Sequence, residues 1–175
     1  MRKDLNTVLH ETLKGRIALV GIGNVDLSDD GFGVRLAESL AGAGLAHVLV
    51  THTVPEDHLA TLTRGGFDNV VFLDAVSIGA EPGSVVFLDA CEIKNRFPQV
   101  STHKLALGML AGLIESEKTT RVWLLGAQPA TLKQGTGLSE PVERTVEILK
   151  ALLLDTLPHH EGIPRMPTER ESVAA

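Results

Sequence analysis

Tyrosine is absent from this 175-residue chain, and tryptophan and cysteine each occur once. With so few aromatics there is no stacking platform for nucleobases. One thiol, Cys91, cannot form an internal disulfide, and no Cys-x-x-Cys metal knuckle can be written. Positive charge is also short: 16 Lys and Arg stand against 22 Asp and Glu, for a net charge of −6. That balance lacks the basic footprint of a nucleic-acid binder. No apolar run approaches the ~20 residues that a membrane-spanning helix needs. The polar start, Met1 to Gly15, has no apolar centre of a secretory signal. The expectation is a cytoplasmic protein with no membrane insertion and no nucleic-acid partner.

What is present is alternation of strand-like and helix-like segments. Ile17–Ile22, His47–His52, Asn69–Asp74, Ser84–Asp89 and Arg121–Gly126 read as strands. Helical patterns fall at about Gly31 to Ala43, in a short stretch opened by Val54-Pro55-Glu56-Asp57, from about His103 to Glu117, and from Glu140 to about Leu157. Such alternation predicts an α/β fold. It is one three-layer domain with an open, mostly parallel five-stranded sheet and helices on both faces. Residues 1–15 are set apart as an N-terminal extension, 16–157 as the domain and 158–175 as a disordered tail. Val70-Val-Phe-Leu-Asp-Ala75 recurs as Val85-Val-Phe-Leu-Asp-Ala90. The connection between the copies, with Glu81-Pro82-Gly83 turn chemistry, is too short for a helical crossover. If the two copies pair, they pair antiparallel, so the second copy is expected as one antiparallel edge strand, with Asp74 and Asp89 then on opposite edges of the sheet.

The most telling segment is Gly21-Ile-Gly23-Asn24-Val-Asp26-Leu-Ser-Asp29-Asp30-Gly31-Phe-Gly33, between the first strand and the first long helix. A glycine-rich turn here usually cradles phosphate. Two adjacent carboxylates would repel one, so the loop is expected to serve a cation or activate water. Asp26 stands where a dinucleotide fingerprint needs its third glycine, and no Gly-Lys-Ser/Thr or Gly-x-Ser-x-Gly occurs. Sites in open α/β sheets lie outside the carboxyl ends of the parallel strands. That rule brings together Asp30 after strand one, Asp74 ending strand three and His103 at a helix start. Two carboxylates and an imidazole form a borderline divalent site suited to Zn, Ni, Mn or Fe. The same groups could instead carry acid–base hydrolysis. Taken singly, Asp29 reads as the cap of the first helix and Asp30 as a charge favouring the helix dipole. Asp74, ending an apolar run, is costly to bury unless paired or coordinating. His52 ends strand two and could lie near the site.

Taken in order, several motifs resemble the nickel–iron hydrogenase maturation endopeptidases. They are Gly21-Ile-Gly-Asn24, Asp29-Asp30-Gly31-x-Gly33, Pro55-Glu56, Phe72-Leu-Asp74-Ala75, Pro82-Gly83, Ser101-Thr-His103-Lys-Leu105, Leu125-Gly126-x-Gln128-Pro129 and Gly137-Leu138-Ser139. The resemblance spans about Ile17 to Leu154. It implies an endopeptidase, of aspartic or metal-assisted type, that trims the C-terminal extension of a hydrogenase large-subunit precursor once nickel is in place. It implies Asp30, Asp74 and His103 as the catalytic, nickel-sensing residues, with Gly23, Asn24 and Asp29 supporting them. The nickel would arrive with the substrate, so no permanent cofactor is expected. Members commonly carry a Gly-Gly-Ser/Thr turn after strand two, where this chain has Thr51-His52-Thr53. Two rivals share the same residues: a non-cleaving metal-sensing or chaperone-like module, and a small-molecule metallohydrolase.

Overall fold

The computed structural model describes residues 4–96, 106–116 and 120–157. Five strands form one sheet: β1 (Ile17–Ile22), β2 (Val48–His52), β3 (Asn69–Ala75), β4 (Val85–Asp89) and β5 (Arg121–Ala127). Among the described residues six helices surround it: α1 (Leu5–Thr12), α2 (Phe32–Gly42), α3 (Leu59–Arg64), α4 (Ala90–Arg96), α5 (Leu107–Glu115) and α6 (Glu140–Thr156). The spatial strand order is β2-β1-β3-β5-β4. The first three pairings are parallel, and only β4 runs antiparallel, against β5. The expected open sheet with one antiparallel edge strand is therefore present. The repeated hexapeptides are not neighbours, however, because β5 lies between β3 and β4.

Strict alternation along the strands divides the core in two. Leu19, Val71, Leu73 and Leu125 pack with α1, α2 and α6 on one face. Val20, Ile22, Val70, Phe72 and Leu124 pack with α3, α4 and α5 on the other. Both β1 and β3 are buried along their apolar lengths, as strands covered on both faces must be. Leu9 and Leu13 are buried in the first cluster, so part of the N-terminal segment contributes to the core. The predicted tail, 158–175, lies outside the described residues, as does the start of the predicted helix at His103.

Helix α4 has no counterpart in the pattern read from sequence. Asp89 ends β4 and also begins this helix: its Oδ1 accepts from the Glu92 amide at 2.8 Å, while Glu92 Oε2 accepts from the Asp89 amide at 3.2 Å. This reciprocal cap satisfies two backbone donors at once.

Candidate active site

The carboxyl ends of β2, β1, β3 and β5 share one edge of the sheet. At β1 the chain leaves through Gly23, whose φ of 138° is closed to other residues. A side chain there would also collide with the carbonyl of Asp30. Asn24 then turns the loop, its Oδ1 accepting from the Asp26 amide at 3.0 Å. Its own amide donates to Asp30 Oδ2 at 2.9 Å. Asp30 sits in a single 3-10 turn, Ser28–Gly31, and is only 5% exposed. Among the described residues only its Oδ2 is engaged.

The 3-10 turn packs directly on β3, whose Asp74 is also 5% exposed. Gly33 permits this approach, since a Cβ there would strike the carbonyls of Leu73 and Ile22. Asp74 pairs in register with Gly126 near the end of β5. Strand alternation puts it on the α3–α5 side, with Val70 and Phe72. Asp30 and Asp74 thus belong to touching segments at one edge. His103, the third residue of the expected set, lies outside the described residues. Among those that are described, no three His, Cys, Asp or Glu side chains gather closely enough to hold a metal ion.

Asp29 does something other than cap the first helix. Neither the 3-10 turn nor α2 has a side-chain cap. The fully buried Asp29 carboxylate reaches instead to the segment after β5. Its Oδ1 accepts from the Ser139 amide at 2.6 Å. Its Oδ2 accepts from the amides of Ala130 at 2.8 Å and Thr131 at 3.2 Å, and from Ser139 Oγ at 2.8 Å. Backbone bonds from Ser28 to Gly135 and from Gly135 to Asp26 extend the same seam. Asp29 therefore ties the Asp30 loop to the β5–α6 connection. Gln128 has a related role: its Oε1 accepts from the Ile78 amide at 2.7 Å and orders the turn before β4.

Glu56 was not among the candidate residues read from the sequence. It follows β2 in a second 3-10 turn, Pro55–His58, and its Oε2 is shut off from solvent with no hydrogen-bond partner among the described residues. Nearby, His52 is exposed and holds a φ of 50°, which a non-glycine residue adopts at a cost. A separate concavity of about 600 Å3 lies at the opposite edge, lined by Lys14, Asp68, Asn69 and Arg121 among others. Asp68 and Asn69 there already bond Arg16, Lys14 and Trp123.

The family model for the HycI hydrogenase maturation protease matches residues 34–156. The chain is 28% identical to the hydrogenase 3 maturation protease of Escherichia coli strain K12 over 131 residues, covering 74% of this chain and 83% of that protein. It is 27% identical to the hydrogenase 2 maturation protease of the same organism over 162 residues, covering 88% and 97%. The crystal structure of a [NiFe] hydrogenase maturation protease HycI from Thermococcus kodakarensis KOD1 superposes with a TM-score of 0.77 at 31% identity, covering 85% of this chain and 97% of that one. A family match of this extent, on a fold shared with that structure, places the chain in the hydrogenase maturation protease family.

Proposed function

We propose that this protein removes a C-terminal extension from a nickel-loaded NiFe-hydrogenase large-subunit precursor. The observation that carries the reading is the pair Asp30 and Asp74. Both are nearly buried carboxylates, on touching segments, at the edge where parallel α/β sheets place their sites. Two carboxylates on touching segments attract a positive charge that they can share. Nickel held by the precursor would be that positive charge, with His103 completing the protein's share of the ligands. Two carboxylates and one imidazole leave positions open for thiolates from the partner. In this reading the ion is part of the substrate, and the protein keeps no metal of its own. Contact with the ion would set the scissile bond against the carboxylates, either of which can accept a proton from the attacking water. A cytoplasmic location follows from the partner proposed.

The test is the mass of a purified large-subunit precursor before and after incubation with the protein. Loss of a C-terminal peptide from the nickel-loaded form supports the reading. A bound but uncut precursor would favour a non-cleaving metal-sensing module. A stoichiometric metal retained through purification, together with hydrolysis of small esters or amides, would favour a metallohydrolase.

A further inference from the structure

Glu56 carries a buried carboxylate oxygen that nothing in the described chain satisfies. Glutamate in the first turn of a helical segment ordinarily serves the dipole or caps an amide. Here the segment has no side-chain cap, and the oxygen is turned away from water. The residue as a whole is partly exposed, so the enclosed oxygen lies close to the surface of the carboxyl edge.

Its place in the fold is at the carboxyl edge. β2 ends at His52, paired with Ile22 of β1, and the Gly23 amide donates to the His52 carbonyl at 2.9 Å. The turn carrying Glu56 therefore starts beside the loop that holds Asp30. It leads into α3, on the same face of the sheet as Asp74. From β2 to β3 is two strand spacings, roughly 10 Å. An extended peptide advances about 3.3 Å per residue, so roughly three residues span that gap. Among the described residues, Glu56 does not gather with two other His, Cys, Asp or Glu side chains closely enough to hold a metal ion.

We propose that Glu56 is a substrate-contacting residue, whose carboxylate accepts an N–H donor of the precursor roughly three residues along the chain from the point held at Asp74. This rests on the protease reading. The donor is either a backbone amide or a basic side chain of the precursor, and two variants separate them. Glu56→Gln keeps an acceptor oxygen and loses the charge, whereas Glu56→Ala loses both.

The experiment measures affinity for the nickel-loaded precursor, its cleavage, and the melting temperature of each free protein. Glu56→Ala is expected to weaken precursor binding roughly tenfold or more. Its melting temperature should hold or rise by about 2–4 °C, because an unsatisfied oxygen is removed. Binding retained by Glu56→Gln identifies a backbone amide. Binding lost equally in both variants, with the loss shrinking at high salt, identifies a basic side chain. Affinities within about twofold of wild type in both variants overturn the inference while leaving the protease reading intact. A lowered melting temperature in both also overturns it, since the carboxylate would then serve the fold. A wild-type protein that neither binds nor cuts the precursor overturns both readings together.

Discussion

Asp74 and Asp89 end two copies of one hexapeptide, yet along β5 they are three residues apart: Asp74 pairs with Gly126 and Asp89 with Trp123. That separation is about 10 Å along the strand. Identical local sequence has been put to two uses. Asp74 ends a parallel strand at the edge where sites form, and Asp89 caps α4.

The first prediction follows from that divergence. Asp74→Ala should abolish precursor processing with the fold retained. Asp89→Ala should leave processing near normal and cost about 1 kcal/mol in stability through the lost cap. Mass spectrometry of the product and urea denaturation check the two halves. Equal loss of processing in both would contradict the assigned roles.

Neighbouring aspartates in the first loop should likewise separate. Asp29→Ala strands three backbone amides and a hydroxyl that its carboxylate now accepts from, and is expected to destabilise by about 3–5 kcal/mol. Asp30→Ala loses one amide contact and should cost under about 2 kcal/mol while processing disappears. Chemical denaturation beside a processing assay distinguishes stability loss from activity loss.

His52 occupies left-handed backbone, with a φ of 50°. His52→Val should destabilise by about 1–2 kcal/mol, because a β-branched side chain tolerates that region poorly. His52→Gly should be neutral or slightly stabilising. Thermal melts of both variants test the point, and the opposite ranking would show that the imidazole itself contributes to the fold.

Nickel dependence provides a fourth check. Purified protein should carry far less than one metal ion per chain, measured by elemental analysis. It should cut nickel-loaded precursor and ignore the unloaded form, because the open coordination positions add binding energy only when the ion is there to share. Equal cutting of both forms would remove the sensing role and leave the protease reading standing.

The sheet was legible because each strand is a short run of Val, Leu, Ile and Phe, and a run buried on both faces needs no alternation to be noticed. The antiparallel β4 was legible from the short connection before it. Its true neighbour was not, since β5 is inserted between the repeats by pairing over some fifty residues, which no local pattern records. Helix α4 escaped because its seven residues show no apolar period and its cap doubles as the end of a strand. Asp30 and Asp74 stood out through loop and strand-edge position alone. Asp29 was misread as a helix cap because its partners lie a hundred residues downstream. Glu56 showed in the sequence only as part of the segment opening a short helix, and only in three dimensions is its oxygen seen to be enclosed without a donor among the described residues.

The seam between Asp29 and residues 130–139 has a consequence for biosynthesis. A ribosome delivers the Asp30 loop early and Ser139 more than a hundred residues later. Until that late segment emerges, the buried carboxylate of Asp29 has none of its described donors, and the loop keeps only its local bonds, such as that from the Asn24 amide to Asp30. Long-range closure of this kind comes late in folding. The nascent chain therefore passes through most of its synthesis with this seam unmade, and the carboxyl edge of the sheet is closed only once residues 130–139 have docked.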